Sequence, residues 1–307
     1  MKPLPLRVFL LLLWLSGRKR RYGSASRLAA AVVHDRARVN GAPPPSFGRR
    51  FALEESTVRG HRTYRMAPLD ARADAPHVLY VHGGAYCMEM SPQHWDFLAD
   101  LVTRTGCSVD VPLYPLAPEH TYRSAFAMLD EVHRTRCAPL PSHRWVVMGD
   151  SAGGGLALAF AQRLLARSLA QPRDIVLISP WVDLTLHHAV RSARSVNDPW
   201  LALPGLAEAA RWWAGRDALE AACTSPLNGP LQGLGRISVY IGTRDILIGE
   251  CQALRLRAAA EGIPMDWFEG MDMIHVWPVL PLQAAASARA SIASIVGGAS
   301  YERHESG

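Results

Sequence analysis

The stretch WVVMGDSAGGGLALAFAQRLL, Trp145 to Leu165, decides how the rest of this chain is read. It opens on an unbroken apolar, β-rich run, the pattern of a strand buried on both faces. From Leu156 it is dominated by good helix formers. Between the two stands Gly149-Asp150-Ser151-Ala152-Gly153, a G-x-S-x-G pentapeptide with a strand before it and a helix after. The glycines have a physical reason. Ser151 has to sit on a sharp, strained turn, and a side chain at 149 or 153 would collide with neighbouring backbone. The departing helix also aims its first N–H groups and its positive dipole end at the hydroxyl. A phosphate-binding loop would want a lysine after its glycines, where Leu156 and Ala157 stand instead. Ser151 is therefore a candidate nucleophile.

A nucleophilic serine needs a base, and the base needs an orienting carboxylate. Around a strand–elbow–helix unit these follow in the order serine, acid, histidine. SVYIGTRDIL places Asp245 just beyond a strand candidate, and GMDMIHVWP places His275 in a loop thirty positions later. Of the twelve histidines only His275 and His304 follow Asp245, and His304 lies in the polar tail SYERHESG. Asp183, in SPWVDLT, is the alternative acid, although it comes one strand too early. Asp272 is so close to His275 in sequence that it would struggle to meet the imidazole from the required side.

A second stretch, VLYVHGGAYCMEM from Val78 to Met90, is a buried strand ending in His82-Gly83-Gly84-Ala85. If Ser151 attacks a carbonyl, the resulting oxyanion needs N–H donors, and a glycine-bearing loop lets backbone approach it closely. The candidate donors are the N–H groups of this loop and that of the residue after the serine, Ala152. His82 is read as bracing this loop by hydrogen bonding.

The strand candidates in all are Phe51–Val58, His61–Ala67, His77–Val81, Ser108–Tyr114, Trp145–Met148, Ile175–Ser179, Ser238–Ile241 and Met265–Phe268. Helical patterns lie between most of them, among them Ser124–Cys137, Ala152–Ala166 and Glu250–Glu261. The first two strands read as a hairpin, and from the third onward β and α alternate, which predicts a mostly parallel sheet covered by helices on both faces. The segment from His187 to Ser225, rich in alanine and tryptophan, breaks this rhythm. It reads as a helical insertion above the carboxyl edge of the sheet, where such folds bind ligands, the alternative being an ordinary pair of crossover helices.

The chain has 307 residues, 49% apolar, room for one large α/β domain or two ordinary ones. Five scattered cysteines without CxxC spacing suggest neither a disulfide framework nor a zinc site, and they fit a reducing, cytoplasmic compartment. The net charge of +6 is uneven: Met1 to Arg65 holds 14 Lys/Arg against 3 Asp/Glu, so the body is mildly acidic and a nucleic-acid surface is not expected. The basic arm opens with the apolar run Val8 to Leu15, about half the length that spans a bilayer. Arg18, Lys19, Arg20 and Arg21 follow where a signal peptide would be cleaved. Two readings of residues 1–22 stand: a helix packed over the main domain with its basic end solvated, or a helix in peripheral contact with an anionic membrane surface.

Together these motifs resemble the hormone-sensitive-lipase-like family of α/β-hydrolases, bacterial (family IV) esterases with a helical cap. HGGAY resembles its HGGG-type motif, GDSAGG its nucleophile motif, and YPLAPEH (Tyr114 to His120) its YRLAPEH block; the likeness runs from about His77 to Trp277. The resemblance implies an α/β-hydrolase fold, with 1–48 a basic helical cap segment, 49–298 the catalytic domain, 187–225 a cap insertion and 299–307 a polar tail. It implies Ser151, His275 and Asp245 as nucleophile, base and acid, Gly83, Gly84 and Ala152 as oxyanion donors, and supporting roles for His82, Asp150 and Glu119, the last behind the site. The implied activity is carboxylic-ester hydrolysis on short to medium acyl esters, without cofactor or metal. An amide-cleaving or acyl-transferring enzyme would use the same triad, and a binding protein on a hydrolase scaffold is disfavoured by a complete one. Three positions depart from the family pattern. Ala85 replaces the third glycine and narrows the pocket mouth, Pro115 replaces an arginine that would brace the loop, and Glu250 stands where an acid commonly follows the catalytic aspartate.

Overall fold

The computed structural model describes residues 3–298; the polar tail 299–307, with His304, lies outside the described residues. Eight strands form one sheet in the order β1-β2-β4-β3-β5-β6-β7-β8. β1 (Phe51–Val58) and β2 (His61–Pro68) are a hairpin turned by Arg59 and Gly60, both at positive φ (52° and 84°), as a two-residue turn matched to strand twist requires. β2 meets β4 (Ser108–Pro112) antiparallel. From there β3 (His77–Val81), β5 (Trp145–Asp150), β6 (Asp174–Ile178), β7 (Arg236–Gly242) and β8 (Met265–Gly270) are all parallel.

The central strands are continuously apolar because both faces of the sheet are covered. Alternate residues enter opposite layers. Val78, Tyr80, Val146 and Met148 pack toward α4 (Pro92–Thr105) and α10 (Ala285–Gly297). Leu79, Val81 and Val147 pack toward α5 (Tyr122–Val132), α6 (Ala152–Ala166) and α9 (Ile248–Ala260). Where the boundaries differ from expectation the causes are local. β5 runs two residues past Met148 because Asp150 still pairs with Ile178, which carries the ladder up to the elbow. α5 is shorter than the pattern Ser124–Cys137 and closes in a π turn over His133–Cys137.

Before β1 come α1 (Leu6–Leu15), the single turn α2 (Arg18–Arg21) and α3 (Ala25–Arg36), started by the Ser24 side chain accepting the Arg27 N–H at 3.2 Å. The insertion after β6 contains α7 (His187–Ser192) and α8 (Leu203–Ala214). Arm and insertion are tied together. The Gly205 N–H donates to the Tyr22 carbonyl (2.7 Å), Lys19 Nζ donates to the Asp198 carbonyl (2.6 Å), and the Arg18 guanidinium lies 4.9 Å over the Trp200 ring. The start of the arm is held separately, Leu4 exchanging backbone hydrogen bonds with Pro281 and Gln283.

Candidate active site

Ser151 sits at φ 52° between β5 and α6, a conformation that costs on the order of 1–3 kcal/mol and persists only when its surroundings impose it. They do. A Cβ on Gly149 would stand 2.3 Å from the Gly153 carbonyl oxygen, and one on Gly153 would stand 2.1 Å from that of Val81. The backbone is pinned on both sides as well: Ser151 N–H donates to Ile178 O (2.8 Å), and Ser151 O accepts from Trp181 N–H (2.9 Å).

Loops at the carboxyl ends of β7 and β8 bring Asp245 and His275 to this turn. His275 Nδ1 lies 2.8 Å from Asp245 Oδ2, and His275 Nε2 lies 2.9 Å from Ser151 Oγ. All three residues are buried. The histidine loop is fixed by the Val276 N–H donating to Ser179 Oγ at 2.9 Å, and Asp245 Oδ1 accepts the Leu247 N–H at 3.0 Å. Burial alone would lower the His275 pKa, but Asp245 first, then Asp198 and Asp150, outweigh it and leave the imidazole above its ordinary value. The alternative acids are elsewhere. Asp183 accepts from Thr185 N–H and Oγ1, and Asp272 is exposed.

The HGG loop differs from expectation at one residue. Gly83 does not offer an open donor, because its N–H is spent on Asp150 Oδ1 at 2.9 Å. The N–H groups of Gly84, Ala85 and Ala152 have no acceptor among the described residues, and Gly84 and Ala85 line the cleft beside Ser151. Asp150 is the hub that sets this arrangement, accepting also from Tyr80 Oη (2.6 Å) and from His94 Nε2 (3.2 Å). Burial alone would raise its pKa; His94, Tyr80 and the Gly83 N–H reverse the sign and hold it below the usual carboxylate value. His82 braces the loop through Nδ1 to the Gly83 carbonyl (2.7 Å) and stacks on Tyr114 at 4.5 Å. Burial, then His94, lowers its pKa to about 4, so the ring is neutral at physiological pH.

Glu119 does not reach the cleft. Its side chain is 61% exposed and accepts from Arg36 Nη1 at 2.6 Å. The same guanidinium donates to the carbonyls of Cys87 (3.0 Å) and Ala117. An arginine from the arm thus braces the segment where Pro115 removed one. Glu250 is buried, accepts the Val182 N–H at 2.7 Å and is raised well above the carboxylate range by burial.

Two residues escaped sequence reasoning. His94, at the start of α4, was signalled only as part of a helix start by Ser91-Pro92. Buried Asp198 joins the insertion to the Asp245 loop, accepting from Trp200 N–H (2.7 Å), Leu201 N–H (2.9 Å) and Ile246 N–H (2.9 Å). It carried no motif. The cleft above Ser151 has a volume of about 280 Å³, walled by Phe9, Leu13 and Tyr22 of the arm, Trp200 and Leu206 of the insertion, and His275.

A sheet of this order, with a strained serine on its fifth strand and a carboxylate–imidazole pair delivered from the last two, defines an α/β-hydrolase. A family model for the alpha/beta hydrolase fold matches residues 78–279. An acetyl-hydrolase of Streptomyces hygroscopicus is 33% identical over 219 residues, 69% of this chain and 72% of that protein. A triacylglycerol lipase of Mycobacterium tuberculosis is 29% identical over 79% of this chain, which spans only 51% of that relative's length. Among solved structures, a hormone-sensitive-lipase homolog from a metagenome library superposes with a TM-score of 0.77 at 25% identity, covering 96% of this chain and 98% of the other. An esterase from the bacterial hormone-sensitive lipase family gives 0.72 at 28% identity, covering 80% and 84%. The chain belongs to the α/β-hydrolase family, in its hormone-sensitive-lipase-like esterase group.

Proposed function

We propose that this chain hydrolyses carboxylic esters of short to medium acyl chains through an acyl-enzyme on Ser151. The observation that carries the reading is the unbroken hydrogen-bonded line from Asp245 through His275 to Ser151 Oγ, 2.8 and 2.9 Å, in the cleft that Ser151 and His275 line. Ser151 Oγ attacks the ester carbonyl while His275 Nε2 takes its proton; Asp245 stays ionised and holds the ring in the tautomer that leaves Nε2 free to accept. The carbonyl oxygen, now negative, is received by the N–H groups of Gly84, Ala85 and Ala152, with Ala85 taking the place expected of Gly83. Collapse of the tetrahedral species expels the alcohol, protonated by His275. Water, deprotonated by the same ring, then attacks the acyl-enzyme and releases the acid.

The size of the cleft and the acetyl-hydrolase relative support small acyl groups. Arm and insertion together act in this reading as the cap over the acyl pocket. The test is a series of p-nitrophenyl esters from two to sixteen acyl carbons with wild type and Ser151→Ala. Turnover should peak at short chains and fall by about 10⁴-fold or more in the variant. A folded wild type without turnover on any ester overturns the proposal.

A further inference from the structure

The first helix is apolar at every position but Arg7, and only half of it is used by the fold. At about 100° per residue, Leu6, Phe9, Leu10 and Leu13 face inward, where they pack on the layer that holds α4 and α10. Val8, Leu11, Leu12, Trp14 and Leu15 share the opposite arc and are 43%, 56%, 51%, 71% and 64% exposed. A helix packed on a domain in water normally presents polar residues on that side. Here the outward face is a strip of large aliphatic and aromatic side chains. Its placement is fixed, since Leu4 ties the start of the arm to Pro281 and Gln283, and Arg18, Lys19 and Tyr22 latch its end to the insertion.

The charge around this strip identifies what covers it. Arg7, at the edge of the arc, and Arg20, on the next turn, are exposed with no acidic partner among the described residues. Asp35 is the one acid before Glu54, and Arg21 neutralises it at 2.5 Å. The body of the chain, from residue 66 on, sums to −5, so a second copy would meet this positive surface only at a different face. A protruding apolar strip rimmed by unpaired cations is complementary to an anionic lipid surface, with the side chains below the headgroups and the guanidinium groups among them. At ten residues α1 lies on such a surface; no helix among the described residues is long and apolar enough to cross it.

We infer that the outward face of α1 docks this protein on anionic membranes in the plane of the interface. Leu12 belongs both to that face and to the cleft wall, so docking places the cleft beside the lipid. This last consequence, access to substrate dissolved in the bilayer, rests on the esterase reading; the docking itself does not.

The experiment is flotation of the full-length chain with phosphatidylcholine vesicles, with and without phosphatidylglycerol. Wild type should float with the anionic vesicles at low salt, lose binding as salt screens the cations, and stay behind with pure phosphatidylcholine. Leu11→Glu/Leu15→Glu and, separately, Arg7→Glu/Arg20→Glu should each weaken partitioning about tenfold or more. None of these four residues lines the cleft, so both variants should hydrolyse water-soluble p-nitrophenyl acetate at the wild-type rate, which also shows that they fold. Wild type that ignores anionic vesicles, or variants that float equally well, overturn the inference. So does light scattering that finds a wild-type dimer and a monomeric Leu11→Glu/Leu15→Glu variant, which assigns the strip to self-association. A chain that floats but hydrolyses no ester keeps the docking and loses the esterase reading.

Discussion

At the scale of single residues, the site is set by three buried carboxylates whose fields converge on one imidazole. His275 is raised because Asp245, Asp198 and Asp150 together outweigh its burial. In the proposed reaction the ring must be neutral at Nε2 to take the Ser151 proton, so kcat/KM should fall as pH drops, with an acid limb centred above the ordinary imidazole value of about 6.5. Asp198 touches neither Ser151 nor the ring, and acts on His275 as a positioning residue and through its charge. Removing that charge in Asp198→Asn should move the limb to lower pH. It should also leave one of the three N–H groups that Asp198 accepts without an acceptor, at a cost of about 1–3 kcal/mol. A pH–rate profile alongside urea unfolding separates the two effects. An unmoved limb with the same loss of stability would reduce Asp198 to a structural tie.

At the scale of elements, the β5–elbow–α6 unit is constrained by what surrounds it more than by its own propensity. A methyl on Gly153 would meet the Val81 and His82 carbonyl oxygens at 2.1 and 2.4 Å, and backbone cannot rotate away as a side chain can. Gly153→Ala should therefore cost about 3 kcal/mol or more, while Gly297→Ala at the open end of α10, with nothing within 4 Å, should gain up to about 1 kcal/mol. Denaturant midpoints that place both variants near wild type would show that the elbow relaxes. This unit was also the most legible part of the sequence, because each of its requirements is local: an apolar run, two glycines, a helix. The other central strands were legible for a related reason, since the part of the sheet covered on both faces leaves no alternation to confuse the pattern. Legibility ends where a group's partner comes from far along the chain. Nothing near Gly83 says that its N–H is taken by Asp150, 67 positions away. Nothing in YPLAPEH says that Arg36, from the arm, will reach the Ala117 carbonyl and Glu119. Asp198 is one acid in an insertion without motifs, and only the packing of that insertion on the β7 loop reveals what it does.

At the scale of the whole molecule, the candidate chemistry stands on the sheet while the cleft wall is borrowed from the arm. Ser151, Asp245 and His275 are held by loops at the ends of β5, β7 and β8, and the first 22 residues hydrogen-bond to the segment after β8 well beyond His275, where Leu4 meets Pro281 and Gln283. Phe9, Leu13 and Tyr22, by contrast, supply one wall of the cleft, and Leu13 and Tyr22 are only 6% and 7% exposed. Removing residues 3–22 should separate the two functions. Losing the burial of Leu13 and Tyr22 should cost roughly 3–6 kcal/mol, against a total of about 5–15 kcal/mol for an ordinary domain, so the shortened chain should fold but melt early. Its kcat on p-nitrophenyl acetate should stay within about tenfold of wild type, because an acetyl group needs little more than the elbow and its donors. Its KM for the hexanoyl ester should rise more steeply, because a longer acyl chain loses the wall it packs against. The comparison to make is the ratio of kcat/KM for hexanoyl over acetyl esters in the two chains, measured well below the melting temperature of the shorter one. A ratio that falls several-fold assigns acyl-chain discrimination to the arm. An unchanged ratio would mean that the insertion, through Trp200 and Leu206, forms the selective wall alone and that the arm only steadies it.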